Sequence, residues 1–143
     1  MEIRKIKPNH CELVYNISST QFKDESWTQD QFLQSISDDN YICAGLFDNG
    51  ELFSYVIAIQ SLDDINILSI ATKEEYKHNG YATRLIKWYK NLAQVVEKTL
   101  SLEVKSKNTN AINLYQNLGF KKVHERKNYY KDGDTALIMF CDL

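Results

Sequence analysis

Proline occurs once in this chain of 143 residues and glycine five times, and no stretch is of low complexity. Nothing therefore reads as a linker or a disordered tail, and one domain over residues 1–143 is expected. No apolar run approaches the roughly 20 residues of a membrane span. The opening Met1-Glu2-Ile3-Arg4-Lys5-Ile6 alternates like a strand and lacks the apolar core of a signal peptide. A cytoplasmic protein without membrane association is the expectation. Cysteines are few and odd in number, Cys11, Cys43 and Cys141, at spacings that match no metal motif. His10, His78 and His124 are equally scattered. Buried free thiols and no metal site are expected.

Net charge is small, −2, but uneven. Residues 1–72 carry four basic and eleven acidic side chains, whereas residues 73–131 carry thirteen basic and five acidic. A basic second half can meet a polyanion, either nucleic acid or a phosphorylated cofactor. Intermixing of the two halves in space would instead cancel the fields.

The hydrophobic pattern alternates between strand and helix periods. Residues 2–6 read as a strand and 9–22 as a helix. Thr28 can cap a second helix, with Gln31 closing a capping box and Phe32, Leu33 and Ile36 as its buried face. Tyr41–Phe47 and Leu52–Ile59 flank Asp48-Asn49-Gly50, a strong hairpin signal. Ile65–Ala71 is a further strand. Ala82, Leu85, Ile86, Tyr89, Ala93 and Val96 line one face of a helix over 80–97. Leu100, Leu102 and Val104 alternate with Ser101, Glu103 and Lys105, which predicts a half-buried strand. Ala111, Leu114, Tyr115 and Leu118 share a helical face, and Gly119 stands where a left-handed cap belongs. Two closing strands follow, Phe120–Glu125 and Thr135–Cys141. The order β-α-α-β-β-β-α-β-α-β-β implies an α/β fold. Its sheet is mixed and mostly antiparallel, with about seven strands and helices on both faces.

One segment carries chemistry by itself. After the strand ending near Thr72 comes a polar loop, and a helix starts at Gly80 and Ala82. Small residues there allow close approach to the main chain. Free amides of the first turn and the helix dipole favour an anion such as a pyrophosphate. Lys73, Lys77 and Arg84 add positive charge. A plain turn is the bland alternative. The glycine spacing fits neither a nucleotide-triphosphate loop nor a dinucleotide fingerprint.

This segment, Lys77-His78-Asn79-Gly80-Tyr81-Ala82, resembles the coenzyme-A-binding motif Arg/Gln-x-x-Gly-x-Gly/Ala of the GNAT acetyltransferases. Leu102-Glu103-Val104, Asn108, Ala111, Leu114-Tyr115 and Leu118-Gly119-Phe120 resemble the family's second, more specific signature. Arg126-Lys127-Asn128-Tyr129-Tyr130, Asp134-Thr135-Ala136-Leu137-Ile138-Met139 and Trp27 are similar to the RimI-like ribosomal-protein alanine N-acetyltransferases. Lys77, Asn79 and Thr72 depart from the commonest residues of the pattern, as does Asn66 at a place expected to face the acceptor.

The resemblance implies a GNAT fold and acetyl-CoA as co-substrate. It implies cofactor contacts from Ile70, Ala71 and Thr72 along the pantetheine arm and from Lys77, His78, Asn79, Gly80, Tyr81, Ala82 and Thr83 at the pyrophosphate. Asn108 and Tyr115 complete that set. Glu103 is implied as general base and Tyr115 as general acid. On alternation alone Glu103 is a solvated glutamate, and Tyr115 reads equally as a core tyrosine. Trp27, Asn66, Tyr129 and Tyr130 are the expected acceptor contacts. The implied partner is a protein N-terminus, a ribosomal protein above all, handled by a monomer or weak dimer. Rival readings are a small amine or internal lysine as acceptor, and a non-catalytic acetyl-CoA-binding module. Nucleic-acid binding is disfavoured because no aromatic-rich strand pair is present to stack bases.

Overall fold

The computed structural model describes residues 1–143. β1 (Glu2–Lys5) leads into α1 (Cys11–Phe22) and α2 (Gln29–Ile36), followed by β2 (Tyr41–Asp48), β3 (Glu51–Gln60) and β4 (Asp64–Thr72). Then come α3 (Tyr81–Val96), β5 (Thr99–Lys105), α4 (Thr109–Asn117), β6 (Phe120–Arg126) and β7 (Ala136–Cys141). The seven strands form one sheet in the order β1-β2-β3-β4-β5-β7-β6. Among neighbouring strands only β4 and β5, joined by the crossover helix α3, pair parallel; β5 and β6, joined by α4, run the same way but have β7 between them, and the other neighbours pair antiparallel.

Local chemistry sets several elements. Asn49 and Gly50 close the β2–β3 hairpin at φ 51° and 80°, the left-handed pair that a tight hairpin turn requires. Thr28 accepts from the Gln31 amide at 3.2 Å while the Gln31 side chain accepts from the Thr28 amide at 2.8 Å. This satisfies two amides that the start of α2 would otherwise leave without partners.

Side-chain alternation divides the core between the two sheet faces. Ala44, Leu46, Val56 and Ala58 pack toward α3 with Leu85, Ile86 and Tyr89. Cys43, Phe47, Tyr55 and Ile57 pack the opposite way, against Val14, Ile17, Phe32 and Ile36 of α1 and α2. Buried on both faces, β2 and β3 read as nearly continuous apolar runs. The fully buried Tyr89 donates its hydroxyl to the Ile42 carbonyl at 2.6 Å, and the Val56 carbonyl lies 3.3 Å away. That bond ties α3 to the sheet and satisfies a polar atom inside the core.

Three burial expectations are corrected. Leu33 is exposed, and Ser35 takes its place beside Phe32 and Ile36. The eight-residue α2 buries only a narrow i, i+3, i+4 stripe. Val96 is exposed because α3 ends there, with Glu97 at φ 57° turning the chain away. Ser101, expected on a polar face, is 2% exposed. It donates to Asp64 Oδ2 at 2.6 Å and accepts from Asn66 Nδ2 at 2.9 Å. The acidic and basic halves of the chain lie largely side by side across the β4–β5 seam, with the basic α3 reaching over the acidic half.

Candidate active site

The sheet opens at the seam between β4 and β5. Their pairing runs from Asp64 opposite Thr99 to Ile67 opposite Leu102 and stops, although both strands continue. Across β3, Ser69 faces Ile57 and Ile67 faces Ala58, so Leu68 is an extra residue in β4. Such a bulge bends its strand and changes which face the following side chains take. Beyond it β4 stays with β3 as far as Thr72 opposite Ser54. β5 stays with β7, Glu103 opposite Ile138 and Lys105 opposite Ala136. The parting leaves a cleft of about 910 Å³ through the sheet, bounded by Ile67–Thr72 on one side and Leu102–Lys105 on the other.

The main chain of β4 faces this opening with hydrogen-bonding groups. The Lys73 amide donates to the Phe53 carbonyl at 2.9 Å. Antiparallel alternation then directs the amides of Ile70 and Thr72 away from β3, into the cleft.

The start of α3 forms one end of the cleft. The first helical main-chain bond runs from the Arg84 amide to the Gly80 carbonyl, at 3.0 Å, and the amides from His78 to Thr83 donate to nothing in the chain. Gly80 sits at φ 79° with nothing within 4 Å of where a Cβ would stand. Asn79 lies outside the cleft lining, and its side-chain amide donates to the Tyr76 and Lys77 carbonyls at 3.0 and 3.2 Å. Two expected cations are otherwise engaged. Lys73 pairs with Glu51 at 2.9 Å, and Lys77 with Glu74 at 2.9 Å. The attraction for an anion at this helix start then rests on main-chain amides and the helix dipole, together with Arg84, the third expected cation, which is exposed on the first turn of α3.

Glu103 and Tyr115 reach the cleft from opposite faces of the sheet. Leu102 and Val104 point into the α3 side of the core, so Glu103 points to the α1–α2 side. There its carboxylate lies 3.8 Å from Arg126. Tyr115 belongs to the α3–α4 side, is only 7% exposed and lines the cleft. Its hydroxyl is not sealed in the core, since no buried side-chain oxygen lacks a partner. Burial pushes the Tyr115 phenol up to about 12, so it keeps its proton at neutral pH. Asn108 caps α4 by accepting from the Ala111 amide at 3.2 Å, and it also borders the cleft.

On the α1–α2 side Trp27 borders the cleft and leans on Phe32 at 5.2 Å between ring centres. Tyr130 borders it as well, and burial together with the Glu103 charge pushes its phenol up to about 12. Two expected acceptor contacts are not brought to the cleft lining. Asn66 lies in the paired part of the seam, bonded to Ser101. Tyr129 stands outside, half exposed, edge-on to Tyr130 with the Arg126 guanidinium 5.5 Å from its ring centre. The sequence reading missed Ser18, Gln21 and Phe22 of α1, and Lys105; Glu25 borders the cleft as well. Nothing local marks the α1 residues, which reach the cleft only through packing across the sheet. Lys105 was detectable, because it shares Glu103's face. Beneath this wall the Tyr55 hydroxyl is 2.8 Å from Ser69 Oγ, and Ser18 Oγ is 2.8 Å from Ser26 Oγ.

The acetyltransferase (GNAT) family model matches residues 11–120. The Escherichia coli (strain K12) ribosomal protein bS18-alanine N-acetyltransferase is 32% identical over 120 residues, covering 79% of this chain and 78% of that protein. A Bacillus subtilis (strain 168) protein provisionally named for the same activity is 31% identical over 144 residues, covering 99% of this chain and 95% of its own. The crystal structure of the ribosomal-protein-S18-alanine N-acetyltransferase from Escherichia coli superposes with a TM-score of 0.85 at 28% identity, over 98% of this chain and 92% of that one.

Proposed function

The chain belongs to the acetyltransferase (GNAT) family, and from that premise we propose that it transfers the acetyl group of acetyl-CoA to the N-terminal α-amine of a protein. A ribosomal protein with a small first residue, alanine above all, is the acceptor that the relatives' activities favour. The observation that carries the reading is the opened β4–β5 seam. Glu103 and Tyr115 border it from opposite faces, beside a run of free amides.

The chain's groups fit acetyl-CoA. The amides from His78 to Thr83 would hold the pyrophosphate, and the outward amides of Ile70 and Thr72 would hold the pantetheine arm as an added strand. When bound, the cofactor supplies the acetyl group as an activated thioester. The Ile70 amide would stabilise the thioester oxygen as it gains negative charge. The acceptor enters from the α1–α2 side, between Trp27 and Tyr130. Its ammonium must lose a proton before it can attack, and Glu103 takes it. An α-amine has a pKa near 8, about two units below lysine, so one carboxylate suffices near neutral pH. Tyr115, protonated at neutral pH, is the donor on the opposite face, available to the leaving sulfur.

Mass spectrometry of peptides carrying both a free N-terminal alanine and an internal lysine tests the acceptor. Acetyl label is expected on the α-amine. Label found only on the lysine, or turnover only with small amines, would overturn the N-terminal reading and leave the family membership standing.

A further inference from the structure

Lys105 lies two residues beyond Glu103 on β5, on the same face of the sheet. Its ammonium is 2.6 Å from Glu25 Oε1 and 2.9 Å from Asp132 Oδ2. It also sits 5.0 Å from the centre of the Tyr130 ring. The side chain is 26% exposed, and the two carboxylates hold its pKa above the ordinary lysine value.

The partners come from separate parts of the chain. Glu25 ends the short 3-10 turn between α1 and α2, two residues before Trp27. Asp132 lies in the connection between β6 and β7, two residues after Tyr130. These two segments are the walls between which the acceptor would pass to reach Glu103. No other hydrogen bond or ion pair joins them. A lone surface ion pair contributes little to stability. One ammonium shared by two carboxylates over an aromatic face is a different object. It spans a gap and sets its width, because a lysine rooted in a central strand has a fixed origin and limited reach. Its charge matters too. Unpaired, an ammonium beside Glu103 would repel an incoming ammonium; with two carboxylates on it the site stays net negative.

We propose that Lys105 is a positioning residue that clamps the α1–α2 turn and the β6–β7 connection into the two walls of the acceptor slot. The inference rests on the transferase reading above and names how that site holds its acceptor. Removing the clamp weakens acceptor capture while leaving the cofactor's amides, across the seam, and Tyr115, on the opposite face of the sheet, as they are.

The test uses the full chain with Lys105→Met, Lys105→Arg and Glu25→Gln. Lys105→Met should raise KM for an alanine-ended peptide on the order of tenfold, with kcat within about threefold and acetyl-CoA affinity within about twofold of the unaltered protein. Lys105→Arg, which can fork to both carboxylates, should restore most of the KM. Glu25→Gln, an exposed change that cuts one arm, should raise KM by a smaller factor. It should add nothing on top of Lys105→Met, since coupled residues are not additive. Amide hydrogen exchange on the protein without substrates gives a second readout. Lys105→Met should speed exchange in residues 23–28 and 127–135 together. A fall in kcat at unchanged KM, or faster exchange in only one segment or neither, would overturn the clamp. Acetylation of lysine alone by the unaltered protein would sink the N-terminal reading instead, and the exchange result would still decide the clamp.

Discussion

Replacing Tyr115 by phenylalanine removes one oxygen atom, and the surroundings of that oxygen set what its loss should do. The ring is 7% exposed and packs near Phe120 at 5.8 Å between centres. The hydroxyl makes no hydrogen bond within the chain and meets the cleft. Its removal orphans no partner, so the usual penalty of about 1–3 kcal/mol for a stranded polar group does not apply. Stability at pH 7 should therefore change by less than about 0.5 kcal/mol. Turnover should fall on the order of a hundredfold if the hydroxyl donates a proton in the chemical step, which is about 2.7 kcal/mol of barrier. Alkaline pH separates the two roles further. The folded phenol titrates at about 12 against about 10 for a free tyrosine. A group whose folded pKa is raised contributes stability that is complete below the unfolded value and lost as pH climbs through the folded one. Tyr115 should thus withdraw roughly 2–3 kcal/mol of stability between pH 10 and 12, and Tyr115→Phe should lose less over that window. Denaturant melts at pH 7 and pH 11, beside single-turnover acetyl transfer, make the comparison. A variant that is near wild type in turnover but destabilised by more than about 1 kcal/mol at pH 7 would refute the reasoning and make Tyr115 a structural residue.

Two further substitutions probe the remaining parts of the site. Gly80→Val places a branched side chain at φ 79°; nothing in the free protein blocks it, so the cost should be about 1–2 kcal/mol of backbone strain. Its Cβ would stand in the anion's approach to the amides, and calorimetry should show acetyl-CoA affinity at least about tenfold weaker; unchanged affinity would rule this site out. Glu103→Gln should lower kcat on the order of a hundredfold with cofactor affinity intact and should flatten the acid limb of the pH–rate profile; wild-type turnover would move the base elsewhere.

Features that depend on near neighbours were legible in the sequence. The Asn49-Gly50 turn, the Thr28–Gln31 capping box and Gly119 at φ 97° each follow from a few adjacent residues with defined dihedral preferences. The Glu103 alternation follows from the two-residue period of a strand, and the order of elements from switches between that period and the helical one. The free amides at the start of α3 were foreseeable because every helix leaves them. Tertiary structure decided what depends on where pairing stops and which segments meet. The extra residue at Leu68 splits β4 from β5, and no local pattern marks it, because Leu68 fits a continuous strand equally well. That split divides the seam into a closed part, which holds Asn66 and Ser101, and an open part, which holds Glu103. Leu33 and Val96 fit an apolar stripe by spacing, yet lie beyond what the sheet can cover. Lys73 looked like a cation for an anion site until β3 brought Glu51 beside it, and Lys105 gained its partners from positions 80 residues before and 27 after. Dihedral preference and side-chain period act over a few residues and are written in order along the chain. Ion pairing, strand separation and burial act through space, and only the closed fold brings their partners together.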